Sequence, residues 1–520
     1  MLKVGAGMAG PGDFEIICRD GLARVGRFET THGRVTTPAL MPVINPVDIF
    51  LKPAEMRKAG TEIFITNAYL VKKHYGERGT ELGVHRIIGY EGPVMTDSGG
   101  YQILRYGVID ATPEEIVRYQ EAIGPDIATI LDVPTGVGVT RRAAEESVRV
   151  TLERAEQLMK IRVRGDILWC GPVQGGLFTD LVEECARRMA GLDFDVYAIG
   201  SPVELLESYR YAEVVDLAMA AKRNLPPGKP VHLFGVGHPM VFALGAAMGC
   251  DLFDSAAYAL YARDGRYMTV NGTMRVEELE WLPCSCPVCS GLDASDIPEM
   301  GPEERVRFLA MHNLYVSFEE IRRIRQAIAE GWLFDLLQQR CRSHPRLLEG
   351  LRRFMRYSEF VERFDPVSKR SAFFYLGPES ARRPEVVRHR IRMGRIKPPA
   401  AEVLVLFPFH LADRVRRDEW EGAYFVEILP PFGPVPEEIK DIYPLTQNEV
   451  PGEVDREGLE AAAGALRDFL ERNGSMYRRI VLLDDGRWGD RLLETLGAFR
   501  GKLEVREVQA GAETTEDESL

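Results

Sequence analysis

The sequence predicts an α/β chain: a (β/α)8 TIM barrel with a structural zinc insertion, followed by a basic helical segment and a small α/β domain. Three observations predict it. Eight short apolar, β-like runs alternate with amphipathic helical stretches, the count such a barrel requires. Polar residues and glycines gather at the C-terminal ends of those runs. A cysteine cluster follows the eighth run at once. At 520 residues the chain is also too long for a single core.

The runs are Pro38–Val43, Ile63–Asn67, Val94–Asp97, Ile127–Asp132, Ile167–Gln174, Val196–Gly200, Val231–Val236 and Leu252–Asp254. Helical patterns at Pro113–Ile123, Arg141–Arg162, Leu177–Met189, Val203–Arg223 and Pro239–Met248 lie between them. A doubly wound open sheet shares this alternation, but no Gly-x-Gly-x-x-Gly opens a helix here.

Asp97, Asp132, Gln174, Gly200, Gly235 with Gly237, and Asp254 all fall at run ends. A lone strand-end aspartate is usually a turn or cap residue. A whole set on one rim is hard to explain by packing, and that rim is where barrel enzymes build their sites. Asp97 sits in Pro93-Val-Met-Thr-Asp-Ser-Gly-Gly-Tyr-Gln102 and Asp254 in Gly249-Cys-Asp-Leu-Phe-Asp-Ser255. Two such acids on one rim can split a glycosidic bond by acid/base and nucleophilic work.

Cys284, Cys286 and Cys289 have chelating spacing, and Pro283 and Pro287 supply the turns that let the sulfurs converge. His312, in the helical pattern Pro302–Ala329, is the expected fourth ligand, with Cys341 as competitor. Cys3His is a closed zinc set with no open position for water, so one structural zinc is expected. Eight cysteines, three of them in this cluster, point to a reducing compartment, and the chain is expected to be cytoplasmic.

Net charge is −13, which argues against a general polyanion binder. Arg340–Lys397 nevertheless holds 16 Lys/Arg against 6 Asp/Glu, a pattern that fits a local phosphate-contacting face. Helical, Arg-rich sequence runs to about Arg363. Strands at Val403–Pro408 and Ile480–Leu483 around a helix at Arg456–Glu471 then read as an α/β domain. The expected divisions are a catalytic barrel at 1–345 with its zinc subdomain at about 280–345, a basic linker or small domain at 346–400, the α/β domain at 401–508, and a disordered acidic tail at 509–520. Met1–Met8 reads as a short leader rather than a signal peptide, and no run of eighteen apolar residues could span a membrane.

A purine-like ring is held by stacking on its faces and hydrogen bonds to its edge. Tyr101 is a platform for one face, and Phe234 or Val236 for the other. Asp132 can accept from the amide and amino N–H groups of a guanine-like edge. Gln174 and the backbone of Gly200 and Ser201 can meet the carbonyl edge. Ser98, beside Asp97, is counted among the substrate-binding residues.

Together these residues resemble the tRNA-guanine transglycosylase family, in its archaeal branch. The matching segments are Met95-Thr-Asp-Ser-Gly-Gly-Tyr-Gln102, Leu131-Asp-Val-Pro-Thr135, Val173-Gln-Gly175, Phe234-Gly-Val-Gly237, Phe253-Asp254, and the three cysteines followed by His312. They run in order over roughly residues 12–345.

The resemblance implies base exchange in tRNA without ATP. An aspartate matching Asp254 attacks C1′ of guanine 15 in the D arm, and guanine leaves. 7-Cyano-7-deazaguanine (preQ0) then displaces the covalent intermediate, on the route to archaeosine. Asp97 is expected to handle the proton, although that position has also been given the nucleophile's role in this family. Bacterial members carry a Pro-Thr-Arg-Ser-Gly-Arg-like segment after the second aspartate, where this chain has Tyr258-Ala-Leu-Tyr-Ala-Arg-Asp-Gly-Arg266. Ser201 stands where many relatives have Gly or Ala, and its contact is expected through its backbone N–H. The resemblance further implies a homodimer. Long archaeal members end in a PUA RNA-binding domain, which this chain is expected to lack, so a separate PUA-domain protein is expected to assist. The rival readings are a catalytically inactive paralogue or RNA-binding partner subunit, and a zinc-dependent barrel hydrolase, which needs several rim histidines where only His238 is expected.

Overall fold

All eight expected runs form strands of one parallel sheet in the structure, a computed structural model that describes residues 9–100, 110–488 and 490–508. Three strands precede them: β1 (Phe14–Asp20), β2 (Ala23–Thr30) and β3 (Gly33–Thr37), an antiparallel sheet that sequence reading missed. The barrel strands are β4 (Ala39–Pro42), β5 (Phe64–Asn67), β6 (Val94–Asp97), β7 (Ile127–Thr129), β8 (Leu168–Val173), β9 (Val196–Ile199), β10 (Val231–Leu233) and β11 (Leu252–Ser255). Their order is β4-β11-β10-β9-β8-β7-β6-β5. A parallel bridge between Val43 and Ile65, with Ile44 N–H donating to Ile65 O at 2.8 Å, joins the two ends into a ring.

The interior is filled with side chains rather than open. Met41, Ile65, Met95, Ile127, Leu168, Cys170, Val196 and Leu252 form one buried cluster, which Phe28 and Val35 of the β1–β3 sheet join. That sheet lies across the N-terminal ends of the barrel strands. His32 N–H donates to Asp126 Oδ1 (2.7 Å), Thr31 Oγ1 to Asp166 O (2.7 Å) and Thr36 N–H to Glu62 Oε2 (2.8 Å). One mouth is thereby covered, and the strand C-termini face the other.

The helices follow local signals. Pro113–Ile123 starts at Thr112, whose hydroxyl accepts from Glu115 N–H while the Glu115 carboxylate accepts from Thr112 N–H. Val203–Arg223 was expected as one helix and forms two, Val203–Glu207 and Tyr211–Lys222, because Tyr209 takes a left-handed φ of 56° between them.

The chain divides into two compact units, one ending at Tyr357 and the other beginning at Ser358. The sequence pattern places divisions at 345 and 400 instead. Helix Pro345–Phe354 belongs to the barrel unit because Leu347 and Leu351 are fully buried and Arg353 pairs with Asp216 of helix Tyr211–Lys222 at 2.5 Å. In the second unit, Gly433–Pro436, Tyr424–Leu429, Val403–Pro408, Arg479–Asp484 and Leu503–Glu507 form a five-stranded sheet, parallel except for the first strand. Phe373, Tyr375 and Val386 share a core with Leu429, Phe432 and Val435, so residues after Ser358 are part of this α/β unit rather than a separate segment.

The Arg340–Lys397 stretch is divided between the two units, and several of its cations are neutralised by acids. Arg340 pairs with Glu320 (2.7 Å), Arg383 with Glu385 (3.0 Å), Arg388 with Glu362 and Asp365 (2.9 Å each), and Lys369 with Asp365 (2.9 Å). Arg356, Arg363, Arg390, Arg395 and Lys397 remain exposed. Among the described residues no helix is long and apolar enough to cross a membrane.

Candidate active site

The strand C-termini surround a cavity of about 760 Å³, whose lining includes Asp97, Asp132, Gln174, Ser201, Phe234 and Asp254. Parallel pairing puts Asp97 at the end of β6 and Asp254 near the end of β11, so carboxylates 157 positions apart (254 − 97) face one space.

Asp254 is held on one oxygen. Its Oδ1 accepts from His232 Nε2–H at 2.8 Å and from Gly235 N–H at 2.9 Å. Oδ2 takes no hydrogen bond among the described residues. His232 lies on β10 and is fully buried. It corrects the expectation that only His238 approaches this rim, as does His344, which also lines the cavity.

Asp97 is partly buried on the cavity wall, and burial, Asp132 and Asp254 push its carboxyl up to about 7. Asn67 Nδ2–H donates to its Oδ2 at 3.0 Å, and the Ser98 and Gly99 N–H groups oppose the shift without cancelling it. Asp97 can therefore carry a proton near neutral pH. A fixed carboxylate with one open oxygen facing a proton-bearing carboxyl is an arrangement suited to displacement at an acetal carbon.

Gln174 Nε2–H donates to Asp132 Oδ2 at 2.5 Å, and its Oε1 accepts from Ser201 Oγ–H (2.6 Å) and Thr135 N–H (3.1 Å). Burial pushes the Asp132 carboxyl up to about 6 even against that amide donor. A Cβ on Gly100 would come within 2.3 Å of Asp132 Oδ1, and one on Gly200 within 2.2 Å of Gln174 Nε2. Only glycine leaves room for this polar edge at those two positions. Ser201, at φ 65°, uses its hydroxyl to brace Gln174. The Ser98 hydroxyl donates to Ile130 O at 2.8 Å, fully buried, and so ties β6 to the segment after β7. Gly200 N–H donates to Val173 O at 2.9 Å. Tyr101 lies outside the described residues.

Away from the mouth, the Sγ atoms of Cys284, Cys286 and Cys289 and a ring nitrogen of His312 lie within 4.8 Å of one another and could hold a metal ion. His312 Nε2–H donates to Met268 O at 2.8 Å, so its Nδ1 is left facing Cys289 Sγ (3.3 Å) and Cys286 Sγ (3.7 Å). That outer hydrogen bond fixes the tautomer and orientation a metal-binding imidazole needs. Tyr267 stacks on His312 at 3.5 Å, and Asn313 Oδ1 accepts from Met268 N–H. The group thus ties hairpin Arg266–Arg275 to helix Pro302–Glu330. Cys341 is fully buried and is not in the cluster. A second group that could hold a metal, His32, His85 and Asp126, sits at the opposite, N-terminal end of the strands.

The family model for queuine tRNA-ribosyltransferase matches residues 18–346. A tRNA-guanine(15) transglycosylase of Methanothermobacter thermautotrophicus is 44% identical over 95% of this chain and 75% of its own length. One from Methanosarcina acetivorans is 45% identical over 88% of this chain and 92% of its own. One from Haloferax volcanii is 44% identical, covering 88% of each.

Proposed function

The chain belongs to the queuine tRNA-ribosyltransferase family, and on that premise we propose that it replaces guanine 15 of tRNA with preQ0 through a covalent Asp254–ribosyl intermediate. The observation that carries this reading is the unequal treatment of two carboxyls on one cavity. Asp254 is anchored at Oδ1 and open at Oδ2, while Asp97 is pushed up to about 7.

Asp254 Oδ2 attacks C1′ of the extruded nucleotide as the C1′–N9 bond breaks, and the Asp97 carboxyl gives its proton to N9 of the departing guanine. PreQ0 then enters the vacated slot. Its N9 proton passes to the Asp97 carboxylate as N9 attacks C1′, and the C1′–Asp254 bond breaks. Two inversions give retention, Asp97 is reprotonated, and no nucleotide triphosphate is consumed. Asp132 accepts from the N–H groups of either base at their shared edge, and Gln174, held by Ser201 and Thr135, donates toward the carbonyl. Phe234 lies against a ring face. Mass spectrometry of tRNA treated with enzyme and preQ0 tests the proposal. PreQ0 at position 15 is the expected result, and incorporation at any other nucleotide would refute the assignment.

Zinc fits the Cys3His donor set, because three thiolates and one imidazole complete a tetrahedron without a water site. Its contribution is to folding. Chelation, or Cys286→Ser, is expected to lower the melting temperature by several degrees while leaving preQ0 binding intact. Loss of preQ0 binding by a folded, metal-free protein would contradict that role. A homodimer and a separate PUA-domain partner remain part of the proposal, measured by sedimentation and by tRNA affinity with and without such a protein.

A further inference from the structure

Tyr209 interrupts what periodicity presents as one helix. Its φ of 56° is unfavourable for a bulky side chain, and such strain persists only where the surroundings impose it. Core burial is not the reason, since 49% of the residue is exposed. Its ring lies nearly parallel to that of His344, with centroids 5.0 Å apart and planes 14° from parallel. Tyr211 sets its edge against both rings, at 6.1 and 6.5 Å. His344 is itself fixed, because it caps helix Pro345–Phe354 and its Nδ1 accepts from Arg346 N–H at 3.2 Å.

This stack stands on the wall of the cavity that holds Asp97 and Asp254. Tyr209 also borders a second hollow of about 490 Å³, lined in part by Arg210, Arg346 and Arg353. Arg210 pairs with Glu213 and Arg346 with Glu349, both exposed pairs of the weak kind that a phosphate can displace.

We propose that Tyr209, backed by His344, is a stacking platform for a nucleobase flanking the extruded target, with Arg210 and Arg346 available to its phosphates. The inference rests on the base-exchange reading and deepens it. Extruding a nucleotide breaks its stacking with both neighbours, and an aromatic face at the rim replaces one of those contacts whatever the base. The strained backbone aims the ring at the mouth instead of folding it into the helix.

Steady-state exchange with saturating preQ0 and varied tRNA tests this in Tyr209→Gly, Tyr209→Ala and Tyr209→Phe enzyme. Glycine accepts the left-handed conformation freely, so that variant removes the ring without straining the fold. Gly and Ala are expected to raise KM for tRNA about tenfold or more, the scale of one lost base–aromatic stack, with KM for preQ0 unchanged. Phe keeps the ring and is expected to match the wild type. In parallel, 2-aminopurine at a nucleotide flanking position 15 should be quenched on binding wild-type and Phe enzyme but not the Gly enzyme. A folded Gly variant with unchanged KM for tRNA and unchanged quenching overturns the inference, as does a Phe variant as impaired as Gly. Absence of exchange in the wild-type enzyme would instead refute the base-exchange reading, and it is seen before any variant is compared.

Discussion

Asp254→Asn is expected to abolish the covalent RNA adduct and to reduce exchange by at least about 10⁴-fold, because the proposed mechanism makes the open Oδ2 its nucleophile and an amide cannot take that role. An amide keeps an acceptor for His232 Nε2–H and Gly235 N–H, so the fold and tRNA binding should persist. The measurement is denaturing electrophoresis of enzyme incubated with tRNA alone, where the wild type shifts and the variant does not. A shifted band with Asp254→Asn, and none with Asp97→Asn, would exchange the roles given to the two aspartates.

Asp97→Asn has the next largest expected effect, about 10²- to 10⁴-fold in turnover, the range for losing a positioned acid/base. Its pH behaviour is the sharper test. In the proposed mechanism departure of guanine needs Asp97 protonated, so kcat/KM for tRNA should fall as pH rises through about 7. Base recognition, on the same proposal, needs Asp132 ionised, so the other limb should fall as pH drops through about 6. The result is a narrow bell whose upper limb is missing from the residual activity of Asp97→Asn.

Stability should carry the same signature. The Asp97 carboxyl stands at about 7 in the fold against 3.8 in the unfolded chain, so the folded state binds the extra proton between those values. The contribution is therefore whole below pH 4 and lost as pH rises to 7. Relative to Asp97→Asn, the wild type should lose roughly 4 kcal/mol of unfolding free energy between pH 4 and pH 8. Equal slopes for both proteins in denaturant titrations across that range would show that Asp97 is not held protonated.

The barrel was legible because most of its strands are apolar runs that end in a polar or glycine residue at the rim. Asp97, Asp132, Gln174 and Asp254 were found for the same reason, and the structure gathers them on one cavity. The β1–β3 sheet was missed because Glu15, Arg19, Arg24, Arg27 and Glu29 interrupt its apolar pattern, and its buried positions are defined only by the barrel beneath. His232 was overlooked inside Val231-His-Leu233, since its contact with Asp254 exists only through the pairing of β10 with β11. The partial neutralisation of the basic stretch was not legible, because the acids that pair with Arg340 and Arg353, Glu320 and Asp216, lie 20 and 137 residues away in the sequence. Tyr209 continues a helical periodicity, and no residue pattern announces a positive φ at a tyrosine.

The sheet across the strand N-termini, together with the filled interior, makes the catalytic cavity a blind alley. Under the base-exchange proposal, spent and fresh bases pass through the same doorway, and one slot cannot house both. Traffic is then expected to alternate strictly: double-reciprocal plots for tRNA and preQ0 should run parallel, and free guanine should compete with preQ0 for the vacated berth.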